Sequence, residues 1–406
     1  MALVASACGG RTGLPVDDAL ANDAAAPEDT TPPSGAVPPA LPCVSWKLVA
    51  GPTQISSASE DLDLTTMTAA PGGALLSWSV DIDPSDDPFY RARLVGWDGS
   101  ALAAEQQILP RSASSLNWSA AGFVATKSGF GAFGWDDADG CLFVSLDPTG
   151  APTSPVTVIG QSDCYLPGRS AAGFSLLSSP DPMRVTTVSY ELVDESGLVQ
   201  SSHAIIPTDA YVVSNVDLGD GTAGLLYVSL NASMGPTALV YQRLDSSGTS
   251  IAGPATVAAA TSGGIMALSG GGLLVVYFDS GQTEALAVPI DFEGVTQGSP
   301  VAISFNSSDM GGLDDIGLAS IPGGDVLLTW LDGDEGPGDV FAMSLSPEGV
   351  ARGMPSLVWQ APLVLPESTV LASVRPDGQE AVVGVSAWLD PNASEQVVTL
   401  GIQCVH

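Results

Sequence analysis

Leu146-Asp147-Pro148-Thr149-Gly150, Val193-Asp194-Glu195-Ser196-Gly197, Leu244-Asp245-Ser246-Ser247-Gly248, Ile290-Asp291-Phe292-Glu293-Gly294 and Leu345-Ser346-Pro347-Glu348-Gly349 share one pattern. An apolar residue is followed by Asp or Ser, two variable positions and a Gly. Trp97-Asp98-Gly99 is a shortened sixth copy. The closing glycines stand 51, 47, 51, 46 and 55 residues apart, too regular for chance. Each copy reads as a hairpin turn, in which the Asp or Ser side chain bonds its own backbone and Gly takes a positive φ.

A second landmark precedes most of these turns: a continuous apolar run ending in an aromatic. Examples are Leu75-Leu76-Ser77-Trp78, Leu225-Leu226-Tyr227, Leu273 to Phe278 and Val326 to Trp330, with Gly131 to Trp135 and Val382 to Trp388 of the same kind. Short runs bounded by Gly and Asp predict strands buried on both faces. The strand entering each turn alternates instead, as in Leu142/Val144/Leu146, Leu286/Val288/Ile290 and Phe341/Met343/Leu345, which predicts one inward face. Between Cys164 and Gly197 the pattern is poor and its second strand has no clear place.

Four short strands in about fifty residues make a propeller blade, so the predicted fold class is an all-β propeller. Residues 43–406 number 364, which is seven units of 52. The irregular third unit leaves six to eight blades open, with seven the best division. The seventh turn is missing because the chain ends where it would fall. Strands near Val370–Val374, Ala381–Trp388 and Gln396–Cys404 supply three strands of the last blade. Its fourth is then Trp46–Ile55 from the N-terminal side, whose Gly51-Pro52 resembles Gly253-Pro254. Pairing both ends of the chain in one blade removes the exposed sheet edges.

The five cysteines follow from this closure. No Cys-x-x-Cys occurs, so zinc and thioredoxin-like chemistry lack their usual spacing. Cys404 ends the third strand of the last blade and Cys43 begins its fourth, so a Cys43–Cys404 bridge replaces the missing turn. Cys141 starts a third strand and Cys164 lies in the following inter-blade loop, which predicts Cys141–Cys164. Disulfides imply an oxidising compartment.

The remaining Cys8 follows Ala5-Ser6-Ala7, four residues that resemble the bacterial lipobox. The resemblance implies a truncated lipoprotein signal over residues 1–8 with Cys8 as the lipidation site. The basic n-region and full apolar h-region of a signal peptide are missing. Either the true start lies upstream of Met1 or the match is incidental. Residues 9–42 hold seven prolines, five acids and no aromatic, the composition of a disordered tether that cannot offset its ordering entropy.

Together, the aromatic-ended strand, the alternating strand and the Leu-Asp-x-x-Gly turn resemble repeats of secreted bacterial seven-bladed β-propeller lipoproteins. The resemblance implies a propeller over residues 43–406, a lipid anchor in the membrane and a place in the cell envelope, at the outer membrane or outside the cell. It does not imply a reaction, since one fold carries many functions.

Composition narrows the function further. Against 45 acids stand 11 bases, a formal charge of -34, which excludes nucleic acid as a partner because phosphates demand Lys and Arg. No apolar run of 18 residues occurs, so no helix is expected to span a membrane. The acids gather where strands two and three join. Asp332/Asp334/Asp339 and Asp136/Asp137/Asp139 are the candidate calcium ligands, since alternating Asp and Gly can bring several oxygens to one hard cation. Neither run completes an EF-hand. Trp97, Trp118 and Trp359 lie outside the repeating second strand and are candidates for stacking on sugars. Trp78, Trp135, Trp330 and Trp388 are expected between sheets. His203 is expected on a surface strand.

The expected function is a non-catalytic, monomeric binding module outside the cytoplasm, engaging a glycan or a protein at its acidic loop face. A glycoside hydrolase or other hydrolase on the same scaffold is the alternative, with a paired carboxylate in a central pocket. A structural envelope protein is a third reading.

Overall fold

A computed structural model describes residues 42–56, 61–81, 89–110, 122–136, 140–160, 162–171, 173–179, 188–206, 210–230, 236–267, 271–279, 285–303, 316–332, 336–364, 368–389 and 395–406. The expected lipidation site Cys8 and the tether of residues 9–42 lie outside them, apart from Pro42. Among the described residues there is no helix, and the strands form seven four-stranded antiparallel sheets.

The first strand, β1 (Ser45–Gln54), belongs to the last blade. Blade 1 holds β2 (Asp61–Ala70), β3 (Gly73–Asp81), β4 (Phe89–Gly96) and β5 (Gln106–Pro110). Blade 2 holds β6 (Gly122–Ala125), β7 (Phe130–Asp136), β8 (Gly140–Leu146) and β9 (Thr157–Gly160). Blade 3 holds β10 (Asp163–Ser170), β11 (Gly173–Ser179), β12 (Val188–Asp194) and β13 (Val199–Ile206). Blade 4 runs through β14 (Ala210–Asp217), β15 (Ala223–Leu230), β16 (Pro236–Leu244) and β17 (Ser250–Ala258). Blade 5 runs through β18 (Ala260–Ala267), β19 (Leu273–Asp279), β20 (Ala285–Ile290) and β21 (Val301–Ile303). Blade 6 comprises β22 (Ile316–Ser320), β23 (Val326–Asp332), β24 (Gly336–Leu345) and β25 (Ser356–Val364). Blade 7 orders β26 (Val370–Val374), β27 (Glu380–Ala387), β28 (Gln396–Val405) and then β1.

The first strands of successive blades contact one another all the way round, β26 meeting β2 to close the ring. The result is a seven-bladed propeller joined by both ends of the chain, as the spacing predicted. Ser45 pairs with Val405, and Gln54 with Val398.

One hydrophobic core fills each of the seven blade interfaces. Hence the second strands are apolar on both faces: β11 and the central part of β3 are buried throughout. β11 is also the second strand for which the sequence shows no clear place. It ends in serines, and its aromatic, Phe174, stands near its start instead of at its end.

The third strands correct an expectation. Alternation predicts one inward face, yet β8 is buried at six of its seven residues. Leu142, Val144 and Leu146 pack toward blade 1, whereas Cys141 and Phe143 pack toward blade 3 with Phe174. A blade inside a ring has a neighbour on each side, so both faces of β8 are covered, whereas β12 and β20 keep partly exposed residues between buried ones. Outer strands such as β17 are more exposed still.

The turns after the third strands take the form their residues predict. Gly99, Gly150, Gly197, Gly248, Gly294 and Gly349 have φ of 75, 87, 88, 85, 84 and 79°. Asp147 Oδ1 accepts from the Thr149 and Ala151 amides at 2.8 and 3.0 Å and from the Thr149 hydroxyl at 2.6 Å. Asp194 and Asp245 repeat the arrangement. These glycines also press on the preceding blade. A Cβ on Gly150 would stand 2.7 Å from Leu75 Cδ1, and one on Gly197 2.6 Å from Phe143 Cδ1.

In blade 7 the bridge takes the place of that turn. Cys43 and Cys404 are disulfide-bonded with Cα atoms 5.5 Å apart. Cys141 and Cys164 form the second bridge, with Cα atoms 5.3 Å apart. Both separations suit unforced disulfides. Gly51-Pro52 and Gly253-Pro254 are both cis, and both occur in outer strands.

Candidate functional site

The two ends of a blade differ in how the chain turns. At one end strands one and two, and three and four, are joined by short turns. At the other, the chain passes from strand two to three and from blade to blade. Aspartates mark the strand ends on this second face in five blades: Asp61 and Asp81, Asp136, Asp163, Asp279, and Asp332 with Asp339. The tight-turn face carries the turn aspartates and, beside other acids, four paired arginines. There Arg352 grips Asp325 through two hydrogen bonds of 3.1 and 2.8 Å, and Arg243 meets Asp220 at 2.6 Å. Arg169 approaches Glu195 at 3.4 Å, and Arg375 pairs with Asp377 and Glu380.

Of the candidate calcium ligands, the structure brings Asp332 and Asp339 together. They are directly opposite partners at the loop end of the β23–β24 hairpin, and the Gln360 amide donates to Asp339 Oδ1 at 3.0 Å. Like charges directly opposite in a ladder repel. Asp136 closes β7 opposite Gly140. Its side chain lies outside the described residues, as do Asp137, Asp139 and Asp334. Among the described residues no three His, Cys, Asp or Glu side chains gather around a common point.

The aromatics divide by depth. Trp78 and Trp330 are fully buried, Trp330 stacking on Phe341 at 5.3 Å. Trp135 and Trp388 are partly exposed, as are Trp97 and Trp359, which pack at the edges of blade interfaces. Trp118 lies outside the described residues. His203 is exposed on the outer strand β13, where its position predicted it.

Two polar sites escaped the sequence reading. One lies between the inner strands of blades 3 and 4. Leu166 takes φ 47°, a rare conformation for a branched side chain, and its carbonyl accepts from Asn215 Nδ2 at 2.9 Å. The same amide reaches Ser175 Oγ at 3.3 Å. Burial pushes the nearby Tyr190 phenol up to about 12 and raises Asp217 above the usual carboxylate range. The dipeptide Pro167-Gly168 was the available signal, a strand breaker inside a strand.

The other is a cleft of about 160 Å³ on the tight-turn face between blades 6 and 7. Cys43, Pro322, Asp325, Arg352 and Gln379 line it. Blades 6 and 7 supply most of its wall, and ring closure adds Pro42 and Cys43.

Comparison with known proteins finds the same architecture. A protein of unknown function from Dyadobacter fermentans matches 90% of this chain and 99% of its own, at 11% identity and a TM-score of 0.51. An ulvan lyase, described as a polysaccharide lyase, matches 86% of this chain and 96% of its own, at 8% identity and a TM-score of 0.52. The β-propeller domain of the trilobed protease from Pyrococcus furiosus matches 86% of this chain and 97% of its own, at 11% identity and a TM-score of 0.46. No protein-family model and no curated protein matches the sequence. Identities this low show a shared fold and carry no activity across.

Proposed function

We propose that the protein is a non-catalytic binding module that works outside the cytoplasm and engages a glycan or a protein through its aspartate-rimmed face. The observation that carries this reading is the placement of aspartates at strand ends on one face. Aspartates end the strands on one face in five blades, while Arg169, Arg243, Arg352 and Arg375 are held in ion pairs at the other. A fixed field of one sign over a broad face draws in partners carrying the other. A bound calcium ion at Asp332 and Asp339 would offset their repulsion and offer a glycan hydroxyl or a carboxylate a ligand position.

The lipid anchor at Cys8 fits the same reading. Pro42 leads into β1 beside the bridge, on the face opposite the aspartates. A tether leaving there lets the acidic face point away from the membrane. The two disulfides suit an oxidising compartment.

The test is thermal unfolding of the full chain in millimolar calcium and again in chelator, with the Asp332→Asn/Asp339→Asn variant alongside. A ligand that binds only the folded state raises the midpoint, by about 2.7 kcal/mol at a hundredfold excess over Kd. A rise in the wild type that the variant lacks supports the metal-assisted face. Equal midpoints in calcium and chelator remove calcium from the account. Binding to a glycan array and to a basic peptide, with and without the two substitutions, then tests the face itself. Binding that the substitutions leave unchanged contradicts it.

A further inference from the structure

We propose that Cys43 is a site of thiol–disulfide exchange, modified by a low-molecular-weight thiol that enters through the cleft between blades 6 and 7. The two sulfurs of the ring-closing bridge have different surroundings. Cys43 forms part of the cleft wall, with Pro322 and Gln379 beside it. Cys404 is not on that wall and faces His406 instead, its Sγ 3.7 Å from Nδ1 and 3.9 Å from Nε2. The ring is fixed there, Nδ1 lying 3.2 Å from the Pro42 carbonyl and Nε2 3.0 Å from Gln379 Oε1.

Exchange proceeds by attack of a thiolate on one sulfur and departure of the other. From the cleft, the incoming thiolate forms a bond to Cys43 Sγ while the Cys43–Cys404 bond breaks. Its electron pair goes to Cys404 Sγ, where the adjacent His406 imidazole can donate a ring N–H to the departing thiolate before it takes a proton from solvent. The products are a mixed disulfide on Cys43 and a free Cys404, with no net oxidation. The propeller ring survives the step. β1 stays paired with β28, and Trp46 Nε1 still donates to Ser344 Oγ at 2.9 Å.

The second bridge is the internal reference. Cys141 and Cys164 are 1 and 2% exposed and packed among Phe133, Phe143 and Phe174, whereas Cys43 and Cys404 are 3 and 7% exposed and Cys43 borders the cleft.

The experiment treats the native full chain, carrying Cys8→Ser to remove the fifth thiol, with millimolar glutathione. Samples are quenched in acid, alkylated and mapped by peptide mass. The glutathione adduct is expected on Cys43 with Cys404 alkylated, about tenfold or more ahead of any loss of Cys141–Cys164. His406→Ala is expected to slow the first reaction about threefold or more with the urea midpoint unchanged. An adduct on Cys404, equal rates at the two bridges, or an unchanged rate in His406→Ala with its urea midpoint intact overturns the proposal. Should His406→Ala shift the urea midpoint, the site of the adduct in the wild type decides.

Discussion

Six blades and the seventh solve the same problem by different means. In blades 1 to 6 the chain itself turns from the third strand to the fourth, with an Asp or Ser side chain and a positive-φ Gly shaping the corner. In blade 7 two chain ends meet, and a disulfide stands at that corner. The local geometry is similar, but the thermodynamics differ. A turn ties together residues that are already neighbours in the unfolded chain. The Cys43–Cys404 bridge joins residues 361 apart. By the chain-entropy model that bridge contributes about 6 kcal/mol, against about 3 kcal/mol for the bridge of 23 residues at Cys141–Cys164. A covalent corner contributes most at the seam because it closes the longer loop of the two bridges.

The largest expected effect separates the two bridges. Cys43→Ala/Cys404→Ala should lose about twice the unfolding free energy lost by Cys141→Ala/Cys164→Ala, measured by urea denaturation. Equal losses would place the stabilisation in local packing and erase the distinction between seam and interior.

Next in size are the glycine corners. Gly150→Ala should cost about 3 kcal/mol, combining a left-handed backbone with a Cβ driven into Leu75. Gly219 has a similar φ of 81°, but an added methyl there would meet nothing within 4 Å, so Gly219→Ala should cost about 1 kcal/mol. Similar costs would show that the repeat's glycine serves the turn alone and not the fit between blades.

The smallest effects are in the pH dependence. Hydrogen bonds from Thr149, Ser196 and Ser247 hold the Asp147, Asp194 and Asp245 carboxyls below the usual range. A folded pKa below the unfolded one gives stability that is present above about pH 4 and lost as pH falls through the folded value. Asn at these positions should therefore flatten the acid limb of the stability curve. Asp217 has the opposite sign, because burial raises it. Its ionised form works against folding at neutral pH, so Asp217→Asn should stabilise slightly at pH 7 and not at pH 3. The reverse order at pH 7 and 3 would contradict this assignment.

Much of this contrast was legible in the sequence. The turn glycines set the period, and the absent seventh turn located the seam, its fourth strand and the Cys43–Cys404 pair. The Cys141–Cys164 pair rests on the start of a third strand and the loop after the blade, although Cys164 lies in β10. The reading failed where local pattern and ring packing part company. β8 alternates, but Phe143 and Cys141 are as buried as Leu142 and Val144, because a second blade covers the other face. β11 has its aromatic, Phe174, near its start and ends in serines, so the run ending in an aromatic that marks the other second strands is missing there. The cleft beside Cys43 joins Asp325 and Arg352 of blade 6 with Gln379 of blade 7, and ring closure adds Pro42 and Cys43, so no window of sequence contains it. For the acidic face, the sequence located the aspartates, and the strands place Asp332 opposite Asp339.

The central claim is that the two ends of the chain close the ring. A protease site inserted at Ser233, between β15 and β16, allows the folded full chain to be cut once. Under denaturing, non-reducing conditions the cut protein should migrate as one covalent species, and reductant should release two fragments. Two fragments without reductant would contradict the closure.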